Sequence, residues 1–357
     1  MRMTFVSVAA LLFGCAAAGP AAAVPGIPGT MPAQVITVTT TADGQAAHPF
    51  SGECRTATGE CTLRAAIQAA NARPGSTIVL PAGRYLLTIP ANPLNINGPL
   101  IDPTTGDLDI TADTTVRGEG QEQTVIDGNR LDRVMLTTAA VSLSGLTITG
   151  GATAEREIPF YDTGGGGIAN SGNLRLDHVT VTGNSAHYGG GIFNVPQADM
   201  TMTDSLVTAN YAEEAGGVRC DNTCTFTNSE ISGNRVVNAG KWYRPGGFAG
   251  RGGGVDIRGV GEVLFIDSVV TGNTASDGGG GINIAPAYLD TITDSGEPGM
   301  GRLILRGTRI TNNHVGPAVQ NCRAVTATIL SAGGNTSDDT SCQLTARGDE
   351  IDPGAGR

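Results

Sequence analysis

From about residue 141 onward, apolar and polar residues alternate in short runs, each at a fixed distance from a turn that ends in asparagine. The asparagines are Asn184, Asn210, Asn234, Asn273, Asn313 and Asn335, at steps of 26, 24, 39, 40 and 22 residues. The two long steps are a normal step plus about fifteen inserted residues. Three places before the turns stand Val181, Val207, Ile231, Val270 and Ile310. Eight places before stand Leu176, Met202, Phe226, Phe265 and Leu305, and ten before, Leu174, Met200, Cys224, Val263 and Leu303. The positions between are mostly Thr, Arg and Asp. A period of two marks strands rather than helices.

Most asparagines are followed by a glycine run and a third apolar piece: Gly189 to Ile192, Gly216 to Val218, Gly252 to Val255, Gly278 to Ile282. Three short strands and three turns per repeat predict an all-β chain wound as a right-handed parallel β-helix. One coil cannot bury its own inward row, so stacked coils share a continuous core. The asparagines fall where the chain bends, and their amides can bond the next coil, which predicts a structural ladder.

One helix is expected. Thr62 can cap it, Leu63, Ala66, Ile67 and Ala70 share a face, and Arg73-Pro74-Gly75 ends it. Placed just before the solenoid, it predicts a plug over the open end of the core, where bare strand edges would recruit other chains.

Residues 1–23 read as an export signal: Arg2, an apolar run from Phe5 to Phe13, then Cys15 and Ala21-Ala22-Ala23. Leu12-Phe13-Gly14-Cys15 resembles a lipobox, which would place a lipid anchor on Cys15; cleavage before Val24 would instead release the chain, secreted or extracellular. Residues 24–34 form a Pro- and Gly-rich lead-in, 35–90 the N-terminal cap and first strands, 91–341 the β-helix, and 342–357 a C-terminal tail. No second apolar span predicts a membrane crossing.

The six remaining cysteines fall into local pairs: Cys54 with Cys61, Cys220 with Cys224, Cys322 with Cys342. An even count in an exported chain predicts disulfides, with a Cys-only zinc site as the alternative. The net charge of −11 and a single lysine, Lys241, exclude a nucleic-acid surface.

The run Cys61-Thr62-Leu63-Arg64-Ala65-Ala66-Ile67, continued by Gln68-Ala69-Ala70-Asn71 and Ile78-Val79-Leu80-Pro81-Ala82-Gly83-Arg84-Tyr85, resembles the CSLREA module of bacterial surface β-helix proteins. Ala65 stands where that family has glutamate. Val116-Arg117-Gly118-Glu119-Gly120 and Thr124-Val125-Ile126-Asp127-Gly128 resemble the early turns of pectin-lyase-like folds. Gly189-Gly190-Gly191-Ile192 is similar to repeats of chlamydial polymorphic outer membrane proteins. The tail, Gly333-Gly334-Asn335 through Cys342 and Asp352-Pro353, is similar to the start of a choice-of-anchor Q segment.

The pectin-lyase-like resemblance implies a search for a Ca²⁺-binding carboxylate cluster beside an Arg base, or for paired carboxylates. The outward columns are instead hydroxyls: Thr182, Thr208, Ser232, Thr271 and Thr311, with Arg175, Thr201 and Thr225. Six places before the asparagines stand His178, Asp204, Asn228 and Asp267. Stacked, they offer oxygens of the kind Ca²⁺ takes, with Asp204 and Asp267 as metal candidates; the same residue types also suit a bend. Beside the glycine turn, Tyr188, Glu213, Glu214 and Asp277 come together, with Arg219 and Asp256 pointing outward and Lys241-Trp242-Tyr243-Arg244 on an insertion. Rings stack on sugars while acids take hydroxyls, so Tyr188, Trp242, Tyr243 and Asp277 are carbohydrate-binding candidates. Glu213, Glu214, Asp256 and Arg219 are the candidates for catalysis. The sequence thus points to a non-enzymatic cell-surface protein contacting polysaccharide or another surface macromolecule, with a polysaccharide lyase or glycoside hydrolase as the alternative.

Overall fold

The computed structural model describes residues 31–92, 101–153, 164–236, 250–259, 261–285 and 301–352. Trp242, Tyr243 and Cys15 lie outside them. Among the described residues, the chain is a right-handed parallel β-helix with three sheets: a broad one that runs its length, one confined to the coils between Ser185 and Val319, and a third from Leu108 onward. The broad sheet begins with Val35–Thr37, which pairs with Ser76–Val79, which pairs in turn with Thr114–Arg117. The stretch that resembles a cap module therefore already supplies the first rungs.

Side chains one repeat apart lie on top of one another, as the alternation requires. Val181 pairs with Val207, Val207 with Ile231, Ile231 with Val270, and Val270 with Ile310. Leu176, Met202, Phe226, Phe265 and Leu305 form a second inward column, in which the rings of Phe226 and Phe265 stack with centroids 4.5 Å apart. All are buried in one continuous core.

From Ser185 onward the coils carry a strand that was not expected. The segment just after the asparagine forms its own sheet, through Ser185–Tyr188, Tyr211–Glu214, Arg235–Val236, Thr274–Ala275 and His314–Val315. Its inward positions are Ala186, Ala212, Val236 and Ala275, single small residues too sparse to give a periodic signal. The broad sheet is also bent within each coil. His178, Asp204, Asn228 and Asp267 stand at the bend with φ of 52°, 48°, 46° and 48°. That left-handed backbone suits short polar side chains that bond locally.

The asparagine ladder is present, with two corrections. The left-handed residue is the one before each asparagine (Gly183, Ala209, Gly233, Gly272, Asn312), leaving the asparagine free to turn its amide inward. Asn210 accepts from Asn184, Asn234 from Asn210, Asn273 from Asn234 and Asn313 from Asn273, each through Oδ1 from both the backbone N and Nδ2 at 2.9–3.0 Å. The next rung is Asn321, not Asn335. A short antiparallel pair, His314–Val315 with Ala318–Val319, folds the chain back so that Asn321 arrives over Asn313. Asn335 joins a parallel column that the sequence reading missed. There, Ser205, Ser229 and Ser268 accept from the backbone N of Val179, Ser205 and Ser229, and Asn335 accepts from Thr308 N.

Glycine is required where successive coils touch. A Cβ on Gly217 would sit 2.5 Å from the carbonyl oxygen of Gly254 and 3.0 Å from the amide of Asn234.

The helix α1 spans Leu63–Asn71, with Thr62 Oγ1 accepting from Ala65 N at 3.1 Å. More than one face is buried. Arg64 and Gln68 are enclosed together with Leu63, Ala66, Ile67 and Ala70. Arg64 is held by Asp43 (Nε to Oδ1 2.8 Å) and by the carbonyls of Gly106 and Asp107. Asn71 closes the open edge of Leu108–Ile110, the first strand of the third sheet: its Nδ2 donates to Asp109 O and its Oδ1 accepts from Thr111 N. The helix thus substitutes for a preceding coil. All three disulfides form as paired, Cys54–Cys61, Cys220–Cys224 and Cys322–Cys342.

Candidate functional site

The third sheet carries the candidate chemistry. Its strands include Ile192–Asn194, Val218–Cys220, Val255–Arg258, Ile282–Ala285 and Cys322–Ala324. Alternation sends Val218 and Cys220 into the core and Arg219 to the opposite side. Register then builds an outer column of Phe193, Arg219, Asp256, Asn283 and Arg323. Arg219 and Asp256 do face away from the core, yet they are not at the surface: Arg219 is 3% exposed, and Asp256 and Asn283 are 0%. This corrects the expectation of a solvent-facing pair.

Buried charge has to be matched at close range, and here it is. Arg219 pairs with Glu214 (Nη1 to Oε2 3.0 Å) and Asp221 (Nε to Oδ1 2.8 Å). Its guanidinium lies 5.0 Å from the centroid of the Tyr188 ring and 5.4 Å from that of Phe193, within cation–π range. Asp256 accepts from Arg258 Nε at 2.7 Å and from Asn283 Nδ2 at 2.6 Å. Burial alone would lower the Arg219 pKa, but the charges of Asp221 and Glu214 outweigh it and hold the pKa above its ordinary value. For Asp221, burial outweighs the arginine and raises the carboxyl.

Above this floor is a more accessible rim. His187 Nδ1 meets Glu213 Oε2 at 2.7 Å, and the His187 and Tyr188 rings meet edge-on with centroids 4.2 Å apart. Asp277, 53% exposed, is held by Arg251 (2.9 Å) and approached by Arg323 (3.5 Å). The structure therefore brings Tyr188, Glu214 and Arg219 together beside Asp256, sets Glu213 with His187, and places Asp277 against Arg251 and Arg323.

Asp221, Arg258, Asn283, Arg323 and His187 were not singled out by sequence reasoning. A signal existed: Phe193 and Arg219 stand nine places after a ladder asparagine, and Asn283 and Arg323 ten. Asp256 follows an insertion, which hides the count.

The other candidates lie elsewhere. On the exposed bend, Asp177, His178 and Asp204 offer ligand atoms within 4.8 Å of one another. His178 Nδ1 already meets Asp177 Oδ1 at 2.7 Å, an interaction that raises the histidine pKa, and Asp204 accepts from Asn228. Asp267 is not in that group. An open trough of about 420 Å³ crosses the broad sheet along Asp113, Thr115, Ser142, Arg175, Asp199 and Thr201. It belongs to a different sheet from the charged column. The hydroxyl column stacks in register as expected, with Ser232 Oγ 3.4 Å from Thr208 Oγ1 and Thr271 Oγ1 3.4 Å from Thr311 Oγ1.

No protein-family model and no curated protein matches the chain. Among solved structures, it is similar to the pectate lyase Pel9A, at 14% identity over 92% of this chain and 82% of that one, with a TM-score of 0.38. It is also similar to a pectin methylesterase from Yersinia enterocolitica, at 11% identity over 65% of this chain and 74% of that one, with a TM-score of 0.35. Both likenesses are weak, and the parallel β-helix is read from this chain's own register.

Proposed function

We propose that this is an exported β-helix protein of the cell surface or extracellular space that contacts polysaccharide without cleaving it. The observation that carries the reading is the rim of Tyr188, Glu213 and Asp277 seated on a floor where arginines already hold Glu214, Asp221 and Asp256. A ring beside fixed acceptors suits a sugar, whose apolar face stacks while its hydroxyls donate. Side chains locked from below lose little freedom when a ligand binds. Glu214 and Asp256 are poorly placed as general acids or bases, because each is buried with its carboxylate already engaged by an arginine. The three disulfides fit maturation in an oxidising compartment. The CSLREA-like and choice-of-anchor-Q-like stretches fit a bacterial surface protein, either lipidated on Cys15 or cleaved before Val24. Among the described residues, no helix is long and apolar enough to cross a membrane.

A glycan array with wild type, Tyr188→Ala and Asp277→Ala tests this: binding to at least one polysaccharide should fall tenfold or more in each variant. No binding by the wild type would remove the reading. The enzymatic alternative rests on Glu213, the rim acid beside His187. Depolymerisation of a polyuronate, with or without Ca²⁺, that disappears in Glu213→Ala would establish a lyase or hydrolase instead.

A further inference from the structure

The outer column of the third sheet holds an acceptor and a donor that the described fold leaves unused. Asn283 is fully buried; its Nδ2 donates to Asp256, but its Oδ1 accepts no hydrogen bond. On the next rung, Arg323 Nη1 is shut off from solvent and makes no hydrogen bond. Its 3.5 Å approach to Asp277 Oδ1 is an electrostatic contact without hydrogen-bond geometry. Both side chains lie against one turn, Gly278–Gly279. A Cβ on Gly278 would fall 2.2 Å from Arg323 Nη1, and one on Gly279 2.9 Å from Asn283 Cβ. Two unsatisfied polar atoms of opposite sense beside one bare turn are uncommon, because each carries a desolvation penalty that a partner would remove.

We infer that Asn283 and Arg323 form a subsite for a hydroxyl group of a neutral sugar; this rests on the polysaccharide reading above and names its chemistry. A hydroxyl donates once and accepts twice, so it can serve Asn283 Oδ1 and Arg323 Nη1 together. A carboxylate offers Asn283 no proton and would meet Asp256 and Asp277. An ammonium offers Arg323 no lone pair. The chain's net charge of −11 further disfavours polyuronates. The Arg323 side chain is 32% exposed, so a ligand would reach the pair from its side. Arg251 holds Asp277 independently of Arg323.

The test is calorimetric titration of the intact protein with neutral hexasaccharides of glucose, mannose and xylose, and with an oligogalacturonate of equal length. Wild type should bind a neutral chain in preference to the oligogalacturonate. Arg323→Met and Asn283→Ser should each weaken that binding tenfold or more, and the double variant should lose little beyond the worse single one, because the two share one hydroxyl. Arg323→Met removes a side chain that is 32% exposed and keeps its apolar stem, so its result stands even if Asn283→Ser destabilises the protein. Neutral-sugar binding unchanged in Arg323→Met would overturn the subsite while leaving polysaccharide contact intact, and preference for the oligogalacturonate would overturn the neutral-sugar assignment. If wild type binds none of the four chains and a high-resolution crystal structure with each shows only water between the two side chains, the subsite and the polysaccharide reading both fail.

Discussion

Asn234 stands mid-ladder, and removing its amide should measure what the ladder contributes. Its Oδ1 accepts from Asn210 N and Asn210 Nδ2, both at 3.0 Å, while its Nδ2 donates to Val207 O at 2.9 Å and Asn273 Oδ1 at 3.0 Å. In Asn234→Ala these four bonds are lost, but the partners are not equally stranded. Asn210 Nδ2 keeps Val181 O, and Asn273 Oδ1 keeps the Asn234 backbone N–H. Among the described residues, the Asn210 backbone N–H has no second acceptor. One orphaned buried donor costs about 1–3 kcal/mol and each weakened bond about 0.5–1, giving a loss of roughly 3–5 kcal/mol, less if a water enters the gap. Asn234→Asp sharpens the test. It keeps the acceptor side but puts a second carboxylate oxygen against Val207 O and Asn273 Oδ1. Its folded-state pKa must then rise, so stability should be lost as pH climbs from about 4 to 7 and regained on acidification. Urea unfolding followed by circular dichroism at pH 4.5 and 7 reads both effects, with Asn222→Ala, whose amide meets only exposed Asp199, as a control. A loss below about 1 kcal/mol for Asn234→Ala, or an Asp variant indifferent to pH, would refute the ladder as a source of stability.

Three further outcomes follow from the same geometry. Asp109 is fully buried, one oxygen has no hydrogen-bond partner among the described residues, and burial together with the charge of Asp107 pushes its pKa up to about 8. The folded state therefore binds a proton that the unfolded state releases above pH 4, so stability falls between about pH 4 and 8, by up to roughly 1.4 kcal/mol per pH unit. Asp109→Asn should match wild type near pH 4 and exceed it at pH 8 in a urea titration; equal pH slopes would refute this. Gly217→Ala should cost about 2–3 kcal/mol, because the added carbon meets backbone rather than a side chain that can move aside; thermal melting checks it. Thr62→Ala should destabilise α1 by about 1 kcal/mol and increase amide exchange at Ala65, whose N–H the threonine oxygen accepts.

The solenoid was legible from residue spacing alone. A period of two at fixed offsets from recurring asparagines specifies which side chains stack, and it placed the inward columns, the disulfides and the capping helix because each depends on spacing alone. It could not reveal the sheet that follows the asparagines, since one Ala or Val per strand leaves no periodic trace. The replacement of Asn335 by Asn321 was equally hidden, because it depends on a two-residue reversal after His314–Val315. At the candidate site, the residue types were legible and their state was not. Alternation sends Arg219 and Asp256 away from the core, but whether that side meets water depends on what the rest of the chain brings over it. Tertiary structure decided that these charges are buried, and with that which acids are locked by arginine and which polar atoms remain without a partner. Spacing follows from the covalent chain, whereas burial depends on segments far apart along it.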